Sequence, residues 1–177
     1  MNLNVEKILI IGLGMIGSSI ALASKSKGIK VYGFDKSNNS IKEALEKNII
    51  DSKVESILDI NSKDFVKKVD LIIVAVPPKQ TLDVLNDLKD VWNTDVTITD
   101  TSSVKNHIKL NGASNIVLSH PIAGSDQCGI SAANGDLFKN KKNVLLLIIF
   151  IDLKVFSEGS CLLLCTAECA FHRGLFF

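Results

Sequence analysis

A short apolar run, Ile8-Leu9-Ile10-Ile11, passes without a linker into Gly12-Leu13-Gly14-Met15-Ile16-Gly17, and that juncture constrains the fold more than any other stretch. The run shows no polar alternation, which is the pattern of a parallel strand buried on both faces. Ile16, Ile20 and Ala23 then recur at helical spacing over 15–27, and Gly28 stands where a helix stops. A second strand over 30–34 ends at Asp35, and a helix over 37–47 turns Ile41, Ala44 and Leu45 inward. The run 71–76 is a third strand, cut off by Pro77-Pro78 because neither proline can donate to a ladder. Helical spacing returns at Thr81, Leu82, Leu85 and Leu88; strands follow over 96–99 and 115–118, with a helix over 104–110 between them. Strand and helix alternating with short links predict an α/β domain built on an open, mostly parallel sheet covered on both faces.

In that setting the glycines match G-x-G-x-x-G, and an acidic residue, Asp35, closes the next strand about 20 residues on, as a Rossmann-type dinucleotide site requires. Gly12 permits the tight turn, Gly14 lets backbone N–H groups approach a pyrophosphate, and Gly17 lets the helix press on the strand. The pyrophosphate is expected on the helix N-terminus, beside Met15 and Ile16, where unpaired N–H groups and the dipole favour negative charge. Asp35 would accept hydrogen bonds from ribose hydroxyls and repel a 2′-phosphate, which favours NAD over NADP; Lys36 beside it works the other way. The alternatives are a turn that holds nothing, or a site for FAD or another nucleotide. Val76 and Pro77 sit at the carboxyl end of their strand, the edge where ligands bind in such sheets, so they either border the nucleotide or merely end the strand.

The charge balance narrows the partners. Twenty basic and 19 acidic side chains leave a net charge of +1, without the basic field that nucleic acid or an anionic membrane would demand. A small-molecule substrate is expected instead. The apolar run 144–151 is too short for a bilayer span of about 20 residues, and the N-terminus lacks a secretory signal, so a cytoplasmic protein with reduced thiols is expected. The composition changes abruptly after residue 143. Up to there the chain is rich in Asn and Lys and has no arginine; beyond it there is no Asn, the only arginine is Arg173, and three of the four cysteines appear. The expected division is therefore a dinucleotide-binding domain over 1–143 and an atypical tail over 144–177, out of frame or poorly packed rather than a second domain. Cys161, Cys165, Cys169 and His172 would share one helical face, but theirs is not a C-x-x-C spacing, and no metal is expected.

Two further stretches leave strands at their carboxyl ends. One is Asp100-Thr101-Ser102-Ser103-Val104-Lys105, where a serine could simply cap a helix and Asp100 could be a solvated loop acid. The other is His120-Pro121-Ile122-Ala123-Gly124-Ser125-Asp126, where small residues leave room for a ligand beside the imidazole. A doubly wound sheet brings all such strand ends to one crevice. Ser103, His120 and Asp126 do not make a hydrolase triad, since no G-x-S-x-G elbow is present and the glycine turn would go unexplained.

Together with Gly12-x-Gly14-x-x-Gly17 and Val74-Ala75-Val76-Pro77-Pro78, these motifs resemble the prephenate/arogenate dehydrogenase family of tyrosine biosynthesis over about residues 5–142. The resemblance implies NAD-dependent oxidative decarboxylation of prephenate or arogenate. It implies that His120 hydrogen-bonds the substrate hydroxyl and takes its proton, that Ser103 orients the same region, and that Asp126 lies near the substrate side chain. Imidazole titrates near neutral pH, which suits it to that work. The resemblance also implies a second, mostly helical domain that completes the active site, makes the dimer and supplies an arginine for the substrate carboxylates. This chain offers only lysines before Arg173, and Ser102 stands where the family has a smaller residue. The dimer is expected of the full-length family and impaired activity of the chain alone, with a non-catalytic dinucleotide-binding remnant or a related hydroxy-acid dehydrogenase as the other readings.

Overall fold

The computed structural model of the chain describes residues 5–105, 108, 110, 112–124 and 127–147. Seven strands form one sheet: β1 (Lys7–Ile11), β2 (Lys30–Phe34), β3 (Ser52–Lys53), β4 (Leu71–Val74), β5 (Thr97–Asp100), β6 (Ile116–Pro121) and β7 (Asn143–Leu147). Their order is β3-β2-β1-β4-β5-β6-β7, with β1 to β6 parallel and β7 antiparallel to β6. The expected doubly wound sheet is therefore present. The chain starts at β1, winds outward to β3, then returns to β4 on the other side of β1. Winding reverses between β1 and β4, and the crevice outside their carboxyl ends is where such sheets take ligands.

The apolar run of β1 has no polar alternation because both its faces are covered. Ile8 and Ile10 pack with Ile20 and Ala21 of α1 (Met15–Lys25) and with Ile41 and Ala44 of α2 (Asn38–Glu46). Leu9 and Ile11 face the other way, toward Val84 and Leu85 of α5 (Pro78–Asp87). The four apolar side chains of β1, Ile8 to Ile11, are within 1% of complete burial, and each contributes roughly 1.5–3 kcal/mol relative to an exposed position. Two short helices, α3 (Ile57–Ile60) and α4 (Lys63–Val66), and β3 fill the crossover to β4; α3 is opened by a capping box between Ser56 and Asp59, a local signal that the strand and helix spacing above passes over.

Several elements differ from expectation. Helix α1 stops at Lys25, with Gly28 at φ +79° just beyond. Helix α2 starts one residue after Ser37, whose hydroxyl accepts the Ser40 N–H at 3.2 Å. Leu45 does not turn inward; at 39% exposure it lies one position round the helix from Ala44, on the rim. Over 104–110 the described residues are not helical, and the Ile108 N–H donates to the Lys105 carbonyl at 2.9 Å. Here the Ser102 hydroxyl donates to the Val104 carbonyl at 3.1 Å and accepts its N–H at 3.3 Å, diverting the groups a first helical turn would use.

The ladder Val117↔Leu147 to Pro121↔Asn143 carries the sheet across the compositional break to residue 147. Residues 144–147 thus lie in β7 at the edge of the sheet, while Cys161, Cys165, Cys169 and His172 lie outside the described residues. Among the described residues no helix is long and apolar enough to cross a membrane, and no cluster of metal-ligating side chains occurs.

Candidate active site

Strand register assembles the site. Phe34 pairs with Ile11, Ile11 with Val74, and Val74 with Asp100, so four strand ends stand in one row. The ladder runs one residue further, with Gly12 N donating to Phe34 O at 2.8 Å, Ala75 N to Ile11 O at 2.7 Å and Thr101 N to Val74 O at 3.1 Å. Asp35, Gly12, Ala75 and Thr101 are therefore neighbours along one lip, although up to 89 positions separate them in the chain.

The three glycines of the turn are there for different reasons. A Cβ on Gly12, which holds φ +98°, would meet the Ala75 carbonyl oxygen at 2.6 Å. A Cβ on Gly17 would meet the Gly12 carbonyl oxygen at 1.9 Å. Both glycines are explained by the protein's own packing. Gly14 is not: its φ is −74°, open to any residue, and among the described residues no atom beyond its immediate chain neighbours lies within 4 Å of its would-be Cβ. Gly14 is also the N-cap of α1, makes no side-chain capping bond, and is followed by no acidic residue in the first turn. The first N–H groups of α1, those of Met15 and Ile16 among them, have no acceptor within the helix, an arrangement suited to an anion. Exchanging Gly14 for Ala is expected to leave unfolding free energy within about 1 kcal/mol of the parent. Dinucleotide affinity should fall at least tenfold, as read by NADH fluorescence titration; a variant binding as tightly as the parent would place the anion elsewhere.

Asp35 is partly buried at the end of β2. One carboxylate oxygen accepts the Leu13 N–H at 2.7 Å and the other accepts the Ser37 N–H at 2.8 Å. It therefore ties the glycine turn to the start of α2. A carboxylate offers about four acceptor positions, so these two bonds leave room for ribose hydroxyls. Beside it lies a hollow of about 610 Å³ bordered by Phe34, Asp35, Lys36, Ile41 and the exposed flank of Leu45. A comparable hollow of about 640 Å³ opens at the opposite, amino-terminal edge near Val5, Asp70 and Thr97, remote from the glycine turn. Val76 is partly buried and Pro77 exposed; Pro77 is the N-cap of α5 and Pro78 its first residue, so the prolines start the helix as well as end the strand.

At the other end of the lip, Asp100 is completely buried rather than a solvated loop acid. One of its oxygens accepts the Ser119 N–H at 3.0 Å, and the other accepts the Ser102 N–H at 3.0 Å and the Lys105 ammonium. Lys105 also donates to the Ser119 carbonyl at 2.7 Å, and the Ser119 hydroxyl donates to the Asp100 carbonyl at 2.5 Å. Burial pushes the Lys105 ammonium below its usual pKa, and the Asp100 carboxylate works against that shift. This network was not legible in the sequence, where Asp100 and Lys105 are only five residues apart on an apparent loop.

His120, half-buried on β6, follows Ser119 and brings Nδ1 to 3.5 Å from the Thr101 carbonyl. Ser103 is exposed two residues beyond Thr101, on the same lip. Asp126 lies outside the described residues. Past residue 128 the chain returns to α1, where the Asn134 N–H donates to Ser19 Oγ at 2.9 Å and Ile130 and Phe138 join the core.

Comparison with known proteins agrees with this arrangement. The profile of the family described as the nucleotide-binding domain of prephenate dehydrogenase matches residues 20–146. Prephenate dehydrogenase of Lactococcus lactis subsp. cremoris is 38% identical over 154 residues, covering 79% of this chain and 40% of that protein. That of Bacillus subtilis is 34% identical over 154 residues, covering 82% of this chain and 40% of that protein. The chain thus spans about 40% of the length of these relatives. The crystal structure of A. aeolicus prephenate dehydrogenase, in complex with hydroxyphenyl propionate and NAD+, superposes with a TM-score of 0.70 at 28% identity, covering 83% of this chain and 52% of that one. A Rossmann-type sheet in the order found, a glycine turn under an uncapped helix and a family profile spanning most of the fold lead to one conclusion: the chain belongs to the prephenate dehydrogenase family and carries its nucleotide-binding domain.

Proposed function

We propose that the chain binds NAD on the Gly12–Gly17 turn and serves the oxidative decarboxylation of prephenate or arogenate. The observation that carries this reading is Gly14: an uncapped helix N-terminus with open space above it, on the same lip of the sheet as His120. Gly12 and Gly17 shape the turn, the Met15 and Ile16 N–H groups receive the pyrophosphate, and Asp35 takes the ribose while bracing Leu13. Val76 and Pro77 border the dinucleotide. When bound, NAD supplies the hydride acceptor.

His120 takes the proton of the substrate hydroxyl as the carbinol C–H bond breaks. The O–H electron pair becomes the new C=O bond and hydride leaves with the C–H pair; as CO₂ departs, the pair of the broken C–C bond moves through the ring to that oxygen, which takes up a proton as the phenol, and the ring is aromatic. Ser103 hydrogen-bonds and orients the hydroxyl-bearing region, and Asp126 stands by the substrate side chain. The substrate carboxylates need an arginine fork that no residue before Arg173 provides. The reading therefore includes a helical domain, and a dimer formed through it, beyond what this chain contributes, working in the cytoplasm.

The test mixes the chain with NAD and prephenate, or arogenate, alone and with the helical domain of a relative, and follows NADH formation. NADH binding by the chain alone and turnover in the mixture are expected. Binding without turnover in any mixture would leave a non-catalytic dinucleotide module; absence of binding would remove the reading altogether.

A further inference from the structure

We propose that the buried Asp100–Lys105 pair is a positioning device for His120, holding the imidazole proton on Nδ1 and leaving Nε2 as the base. The inference rests on the proposed role of His120 and adds how the fold prepares it.

The geometry brackets the histidine from both sides. The peptide group joining Ser119 to His120 is held through its carbonyl by Lys105, and the Ser119 N–H is held by Asp100. The Ser119 hydroxyl returns a third bond, to the Asp100 carbonyl. On the facing loop, Asp100 also holds the Ser102 N–H, so Thr101 sits between two fixed residues and its carbonyl is presented to His120 Nδ1. A carbonyl oxygen has only lone pairs to offer, so the nitrogen facing it must carry the hydrogen. The 3.5 Å separation is long, as contacts around a reacting group often are before substrate tightens them.

Stapling β5 to β6 would not by itself call for this pair. The register Ile98↔Ile116 and Thr99↔Val117 already joins the strands through their backbones. Burying an ammonium and a carboxylate carries a desolvation penalty that their attraction only offsets, so an apolar pair could serve a purely cohesive role as well. An apolar pair could not hold the Ser119 carbonyl and N–H and the Ser102 N–H at once. The network is specific to the groups on either side of the imidazole and of its carbonyl partner.

The test is long-range ¹H–¹⁵N correlation spectroscopy of the histidines in the 177-residue chain, with His120 assigned by the signals lost in His120→Asn. With the imidazole neutral, the parent should show a split pair: one protonated nitrogen assigned to Nδ1 and one bare nitrogen assigned to Nε2. Lys105→Met and Asp100→Asn should each collapse the split toward averaged tautomers. Each single variant also leaves a buried partner unpaired and should melt lower than the parent. The double variant removes both charges, so its melting temperature should recover relative to the singles while the split stays collapsed. A parent with the proton on Nε2, a split surviving in Lys105→Met, or a split restored together with stability in the double variant would each overturn the proposal. No substrate or dinucleotide is present, so the outcome is separate from whether prephenate is turned over.

Discussion

His120→Asn is expected to lower turnover by ~10²–10⁴-fold, the usual worth of a positioned general base, with dinucleotide affinity unchanged. In barrier terms this is about 3–5 kcal/mol. Asparagine keeps a polar side chain of similar reach, able to hydrogen-bond the substrate hydroxyl, but it has no lone pair basic enough to carry the proton away. What disappears is the proton acceptor and not the contact. The fold should tolerate the change, because His120 is only half-buried and the flanking backbone is held through Ser119 by Asp100 and Lys105. Affinity should be spared because the groups proposed to hold the dinucleotide belong to the β1 turn and the end of β2. The measurement is NADH formation with the complementing helical domain, paired with NADH titration of the chain. A parallel fall in affinity would move His120 from the reacting centre to the cofactor site.

Gly17→Ala should produce the largest loss of stability among the site variants. Its Cβ would stand 1.9 Å from the Gly12 carbonyl oxygen and 3.1 Å from Ile10 Cγ2, and the first of these is backbone that no side-chain rotation can move. Alanine is better than glycine inside a helix by about 1 kcal/mol, yet overpacking a dense contact costs typically 1–3 kcal/mol and sometimes more. Here α1 must lift from β1, which also disturbs Ile20 and Ala21 in the core beneath it. The net result is destabilisation, with dinucleotide affinity down at least tenfold because the helix N-terminus moves off the turn. Urea unfolding and NADH titration read the two effects. Gly14→Ala should separate them, losing affinity alone, so the pair of glycine variants tests the packing and the ligand independently. Equal stability of Gly17→Ala and the parent would contradict the close approach described for α1 and β1.

What the sequence disclosed was whatever depends on local pattern. The unbroken apolar run of β1, the glycine spacing after it and Asp35 at the end of β2 are short-range signals, and each corresponds to its place in the structure. Ser37 and Gly28 mark helix ends for the same local reason. What stayed hidden depends on groups far apart in the chain. Leu45 looks inward by helical spacing, but only the position of β2 and β3 decides that this flank is a rim. The loop after β5 carries helix-like spacing, yet the Ser102 hydroxyl and the Asp100 carboxylate capture backbone groups there. Asp100 itself reads as solvated until β6 arrives to bury it and Ser119 offers it a partner. The compositional break at residue 143 does not show in the sheet, because β7 needs only apolar residues and backbone to pair with β6.

The account depends on a pyrophosphate resting at Gly14 and a nicotinamide ring reaching His120. A crystal structure of the chain with bound NAD+ tests this most directly. Density for the two phosphates against the Met15 and Ile16 N–H groups, the adenosine ribose on Asp35 and the nicotinamide beside His120 is the expected result. Phosphates bound anywhere else, or a nicotinamide turned away from the imidazole, would contradict it.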